Sequence, residues 1–210
     1  MKVEILQPPD FSKTGKIVDV KEARKNGWWY GTFNLWVVTR TPVPSIFYQL
    51  RGPKMDWGAN KLDVLLAGHY DDGESIESAI SHEEKEELGI AFNFSDMIPL
   101  GRRLNVGVGT DGSIRNTVSD LFLVEQSNLV DKFQPTDSEV YAICSCPLDE
   151  LLKVHVNKEY KFTVKGVKFD RSEIEIEVNQ SIFPYNWDNY HYKMALVSQR
   201  YFSGESPLLY

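Results

Sequence analysis

Residues 68–90 read GHYDDGESIESAISHEEKEELGI, and the last nine are nearly all charge. DDGES supplies a turn and a helix start, where acidic side chains suit the positive end of the helix dipole. The helix is expected to run to about Leu88 and to stop at Gly89, a residue type suited to the left-handed C-terminal position. Glu83, Glu86 and Glu87 stand at i, i+3 and i+4, so their carboxylates share one face. Like charges so spaced destabilise a free helix by a few tenths of a kcal/mol each. Grouping them makes physical sense where a cation neutralises them, and a hard divalent cation such as Mg²⁺ takes oxygen ligands of this kind. The alternative is a solvated helix face on which Lys85 relieves the repulsion.

Upstream, FNLWVVTR (33–40) is an apolar run of strand length, TPVPS turns it, and IFYQLRG (46–52) follows as a second strand. LDVLLAG (62–68) reads as a short apolar strand ending at a glycine. Downstream, GRRLNVGVG and NTVSDLFLVEQ flank TDGS, whose Asp111-Gly112 pair signals a hairpin. VYAIC is a further strand, and PLDELLKV a short helix opening at a proline. In SEIEIEV, Ile174, Ile176 and Val178 alternate with glutamates, the pattern of a half-buried strand. Trp187, Tyr190, Met194, Val197 and Tyr201 recur at helical spacing, which predicts a C-terminal helix packed on the body. Strands interspersed with a few helices indicate an α+β sandwich rather than a doubly wound parallel sheet.

The totals narrow the function classes. A net charge of −7 over 210 residues argues against a surface that coats a nucleic acid polymer, though a local basic pocket for a phosphorylated small molecule is compatible with it. No apolar stretch approaches the roughly 20 residues of a membrane span. MKVEILQPPDFSKTG lacks the apolar core of a signal peptide. Cys144 and Cys146 are read as buried small hydrophobes in a reduced, cytoplasmic setting.

The spacing then becomes specific. Gly68, five residues, Glu74, seven residues, His82-Glu83, then Glu86-Glu87 and Gly89-Ile90 reproduce the order of the Nudix box. The sequence resembles the Nudix superfamily over these 23 residues, and the resemblance continues through the strands from about Asn34 to Leu151. It implies a Nudix-type α/β/α sandwich with a mixed sheet. The expected organisation is a single domain, 1–210, with a core of about 30–151, an N-terminal extension 1–29 and a C-terminal strand and helix extension 152–210.

The resemblance also implies Mg²⁺-assisted attack of water on a diphosphate linked to another group, with Mn²⁺ a substitute metal. By position Glu83, Glu86 and Glu87 would be metal ligands and the Gly68 carbonyl a further one. Glu83 and Glu87 are candidate catalytic carboxylates, and Glu139, just before a strand, is an alternative outer base. Two letters depart from the pattern. His82 occupies the usual arginine position and brings fewer donors. Glu84 replaces an aliphatic residue, so either that edge of the helix is open to water or Glu84 has a partner.

LRGPK followed by KLDVLLAGHYDDGES resembles the branch related to isopentenyl diphosphate isomerase, and by that likeness Arg51 and Lys54 are candidate diphosphate-binding residues. His69 could contact phosphate or metal, or cap the turn. The isomerase thiol is replaced by Ala67, and its histidine and glutamates align near Tyr30 and Asn116-Thr117-Val118, so the hydrolase reading is preferred. The expected partner is a small-molecule diphosphate, by default a nucleoside diphosphate or a derivative. A binding module of the same fold without turnover is the alternative, and the aromatic C-terminal stripe is a candidate contact for a homodimer.

Overall fold

The computed structural model describes residues 1–55, 57–109, 112–134, 140–184 and 188–210. Asp111, Glu139 and Trp187, singled out above, lie outside the described residues.

The chain opens with a hairpin, β1 (Lys2–Gln7) and β2 (Ser12–Asp19), and a short helix α1 (Val20–Asn26). Asp19 caps that helix by accepting the Lys21 N–H at 2.8 Å, and Gly27 closes it in the left-handed region. β3 (Trp29–Thr39) and β4 (Ser45–Arg51) follow, and β4 joins β5 (Leu62–Val64). The run LDVLLAG, expected as one strand, is two. β5 pairs with β4, the chain bends at Leu65, and β6 (Leu66–His69) pairs with β3 instead. The Gln49 amide stabilises the bend by donating to the carbonyls of Val64 (3.1 Å) and Leu65 (3.3 Å), on either side of the point where the pairing changes.

Helix α2 spans Ile76–Glu83 and continues as a π-type turn over Glu84–Leu88. Beyond it run β7 (Ile98–Val108), β8 (Ile114–Glu125), α3 (Leu129–Lys132), β9 (Val140–Pro147), α4 (Leu148–Val156), β10 (Phe162–Lys168), β11 (Glu173–Val178) and α5 (Tyr190–Phe202). β7 and β8 pair as the expected hairpin, with Val108 opposite Ile114. All strands belong to one mixed sheet in which the β3–β8 pairing is parallel and the rest antiparallel.

Alternation along β3 builds the layers. Phe33, Leu35 and Val37 point to one face, where they meet Ala79 and Ile80 of α2, and Leu88. Trp36 and Val38 point to the other, where they meet Leu148, Leu151 and Val154 of α4 and Tyr190 and Met194 of α5. Helices therefore cover both faces, an α/β/α sandwich. Burying each of Ile80 and Leu88 contributes about 1.5–3 kcal/mol, which fixes the acidic helix against the sheet.

The terminal segments are woven into this frame. β1 pairs with β3 at Ile5–Tyr30 and Leu6–Trp29, and β10 extends the sheet from β9. The C-terminal stripe packs inward: Tyr190, Met194 and Val197 are buried against the chain's own core, so these three offer no apolar face to a second copy. Among the described residues, no helix is long and apolar enough to cross a membrane.

Candidate active site

The acidic helix begins where Ser75 accepts the Ser78 N–H at 3.1 Å. Glu74 braces the preceding turn, accepting from the Asp71 N–H and the Ser78 hydroxyl at 3.2 Å each. At the other end the wide turn closes as the N–H of Ile90 reaches back to the Glu84 carbonyl at 3.2 Å. Gly89 ends it at φ 65°. Such insertions re-aim side chains relative to a regular helix and occur often at functional sites.

The four carboxylates of this region have four different environments. Glu83 is half-buried and packs on Gly68, where a Cβ would fall 2.8 Å from its Cγ and 2.9 Å from its Oε1. Only a glycine on β6 admits that approach. Glu87 is 4% exposed, and Glu86 is exposed and pairs with His82 at 3.3 Å. His82 thus contacts one neighbouring carboxylate from the position where the box usually carries arginine. Glu84 is 2% exposed, and its Oε2 accepts the Phe92 N–H at 3.0 Å. Of the two alternatives raised by the sequence, the second holds: Glu84 is inside and has a partner.

Burial pushes the Glu84 carboxyl up, partly offset by the Phe92 hydrogen bond and by Lys85. Folding therefore favours its protonated form. The associated stability is present at acid pH and lost as pH rises through the folded value. Glu84→Gln keeps an oxygen for the Phe92 N–H and removes the buried charge. Thermal denaturation at pH 7 is expected to show the variant more stable, the gap closing as pH falls through the raised folded value. A variant less stable at pH 7 would contradict this.

On the other side of Gly68 lies a cleft of about 470 Å³. Arg51, Lys54, Gly68 and His69, all singled out from sequence, line it together with Arg24, Arg103 and Arg115. The cations come from α1, β4 and the loop after it, β7 and β8, which explains how a protein of net charge −7 presents a basic pocket. Two guanidinium groups lie over the Trp57 ring, Arg51 at 5.3 Å and Arg115 at 5.6 Å from its centre. Arg51 also donates to the Trp57 carbonyl at 3.1 Å. His69 stacks on Tyr30 (5.7 Å) and its Nε2 lies 3.3 Å from Arg24 Nη2. Burial, with help from Arg24 and Arg115, pushes the His69 imidazole down to about 4, so it is neutral at pH 7 and accepts from Arg24.

Gly68 is where the acidic helix and the basic cleft meet. The glutamates themselves do not line the cleft, and among the described residues no three His, Cys, Asp or Glu side chains are gathered closely enough to hold a metal ion. The donor set is nonetheless of the right kind: carboxylates on successive turns, one against a glycine whose carbonyl belongs to a cleft-lining strand. Sequence reasoning did not find Arg24, Arg103 or Arg115. Only the adjacent pair Arg102-Arg103 carried a signal, because neighbours in a strand face opposite sides and one of two must point inward.

No protein-family model matches this chain, and no curated protein matches it in sequence. Solved structures do match. DR0079 from Deinococcus radiodurans aligns over 72% of this chain and 86% of its own at 17% identity, with a TM-score of 0.52. RenU, a Nudix hydrolase from M. smegmatis, aligns over 100% of this chain and 98% of its own at 11% identity and a TM-score of 0.49. A mutT/nudix family protein from Listeria innocua aligns over 83% and 92% at 17% identity and 0.48. At a TM-score of 0.52 this chain shares the fold of DR0079, and its residues 68–90 form a strand end, loop and helix.

Proposed function

We propose that this chain hydrolyses a diphosphate linkage in a nucleoside diphosphate, or a derivative of one, by Mg²⁺-dependent attack of water on phosphorus. The observation that carries the reading is the meeting of acidic helix and basic cleft at Gly68. A diphosphate needs cationic side chains for its oxygens and a carboxylate to manage the attacking water, and both lie within one strand of each other.

Glu83, Glu86 and Glu87, with the Gly68 carbonyl, are the residues that would hold Mg²⁺ or Mn²⁺. When bound, the metal would neutralise phosphate oxygens and lower the pKa of a bound water. The chain's own residues do the remaining work. Arg51 and Lys54 bind diphosphate oxygens as cleft cations. His69 stays neutral and orients Arg24 towards the same cleft, so its role is exercised through that guanidinium. Glu83 and Glu87 are the carboxylates placed to orient or deprotonate water, and Glu139 is retained as the alternative base. A cytoplasmic setting fits such a substrate.

Incubation with a panel of nucleoside diphosphates and their conjugates is expected to release a monophosphate only when Mg²⁺ or Mn²⁺ is present. Release that is indifferent to chelation would sink the proposal. A second reading, binding without turnover, is favoured by the absence of a gathered three-carboxylate cluster among the described residues. Tight ligand binding with no product across the panel would select it. An isopentenyl-type isomerase is the third and weakest reading, because Ala67 stands where the thiol is needed and Cys144 and Cys146 are fully buried on β9.

A further inference from the structure

The C-terminal segment reaches the cleft as well as the core. One row of paired residues crosses four strands: His69 on β6 lies opposite Thr32 on β3, Thr32 opposite Ser119 on β8, and Ser119 opposite Arg103 on β7. Residues in such a row face the same side of the sheet, and the Thr32 and Ser119 hydroxyls bond across it at 2.7 Å. With neighbouring strands about 4.8 Å apart, the row spans roughly 14 Å from His69 to Arg103. That is the scale of a nucleotide, not of a single phosphate group. One end adjoins Gly68 and the acidic helix, and the other end is Arg103.

Arg103 is held unusually firmly for a cleft-lining side chain. Its Nε and Nη2 donate to the two oxygens of Asp188 at 2.7 and 3.0 Å. Its guanidinium lies 3.9 Å from the centre of the Tyr190 ring. Tyr190 is itself fixed, its hydroxyl accepting from Asn34 and Trp36 at 2.8 Å each. The Tyr210 hydroxyl donates to Asp188 at 3.1 Å, and its N–H is tied to the Leu100 carbonyl at 3.0 Å. Asp188, Tyr190 and Tyr210 all belong to the C-terminal segment that the box resemblance does not reach.

A buried ion pair is a weak device for stability alone, since an apolar pair of similar size commonly serves at least as well. A guanidinium frozen in one orientation at a cleft wall is, by contrast, preorganised for an anion, because Asp188 uses only the Nε–Nη2 edge of its fork. We propose that Arg103 binds a second phosphate of the substrate, at the end remote from Gly68, with Asp188 as its positioning residue. The preferred substrate is then a nucleoside diphosphate that carries a further phosphate on its sugar, away from the scissile linkage. This rests on the diphosphate reading of the cleft.

The test compares adenosine 5′-diphosphate with its 3′-phosphorylated derivative by calorimetry, with Ca²⁺ replacing Mg²⁺ to suppress turnover. Wild-type protein is expected to bind the 3′-phosphorylated ligand at least tenfold more tightly. Asp188→Asn, which frees the guanidinium, is expected to shrink that ratio, and Arg103→Met with Asp188→Leu to abolish it. The double variant removes both charges together, so its fold should survive if Asp188→Asn fails to fold. In the kinetic assay the same variants should raise KM for the 3′-phosphorylated substrate far more than they lower kcat, and Arg103→Lys should not restore the preference. A wild-type protein that binds both ligands equally, or variants that keep the wild-type ratio, would overturn the assignment of Arg103 alone. Failure of wild-type protein to bind either ligand would overturn the diphosphate reading with it.

Discussion

Glu87→Gln is expected to lower kcat for Mg²⁺-dependent diphosphate hydrolysis by roughly 10²–10⁴-fold while leaving the fold intact. The side chain is 4% exposed and lies on the inner side of the wide turn that ends the acidic helix. Glutamine has the same shape, so the packing of this buried side chain is kept, and what disappears is an ionisable carboxyl in a poorly solvated place. A charge there counts for far more than at the surface, because little water is present to screen it. Glu86→Gln is the internal comparison. Glu86 is exposed and paired with His82, and its loss should cost much less than that of Glu87. Steady-state rates for the two variants check this, and equal losses would contradict the ranking of the carboxylates by burial.

The second large effect is one of stability. Gly89→Ala is expected to destabilise the protein by roughly 2–5 kcal/mol, from strain at a positive φ together with overpacking. A Cβ at Gly89 would fall 2.0 Å from the Gln134 carbonyl oxygen and 2.6 Å from its carbon. That obstacle is backbone, held in place by the Gln134 N–H donating to the Leu88 carbonyl at 2.9 Å, so it cannot rotate away as a side chain would. The glycine that closes the box therefore does two things: it ends the helix at φ 65° and it lets the chain cross its terminus. Urea denaturation of wild type and variant measures the cost, and a loss below about 1 kcal/mol would mean that the crossing relaxes freely.

The box was legible because everything that defines it is local. Helix start, helix stop and the shared face of three glutamates follow from turn chemistry and a 3.6-residue period. The alternation that separates Phe33, Leu35 and Val37 from Trp36 and Val38 was legible only as an apolar run, since both faces are buried. The break of LDVLLAG at Leu65 left no trace in composition, because a strand that changes partners looks like a strand that continues. The side chain that stabilises the break, Gln49, lies 15 residues from Val64. The N-terminal hairpin passed unnoticed for a different reason: in SKTGKIVD of β2 only Val18 is buried, which leaves no period to read.

The cleft was the least legible part. Arg51 and Lys54 stood beside the box, whereas Arg24, Arg103 and Arg115 arrive from separate elements and are brought together only by strand order. Glu84 shows the opposite case. The sequence posed the physical question, a carboxylate on an apolar face, and the three-dimensional arrangement supplied the answer in the Phe92 N–H eight residues on.

The central claim is that the carboxylates of residues 83–87 hold a divalent cation beside the basic cleft. Titration of the protein with Mn²⁺, followed by electron paramagnetic resonance, tests it most directly. Wild-type protein is expected to bind at least one Mn²⁺ that Mg²⁺ displaces, and Glu87→Gln to bind it at least tenfold more weakly. Equal Mn²⁺ binding by the two proteins would contradict the account.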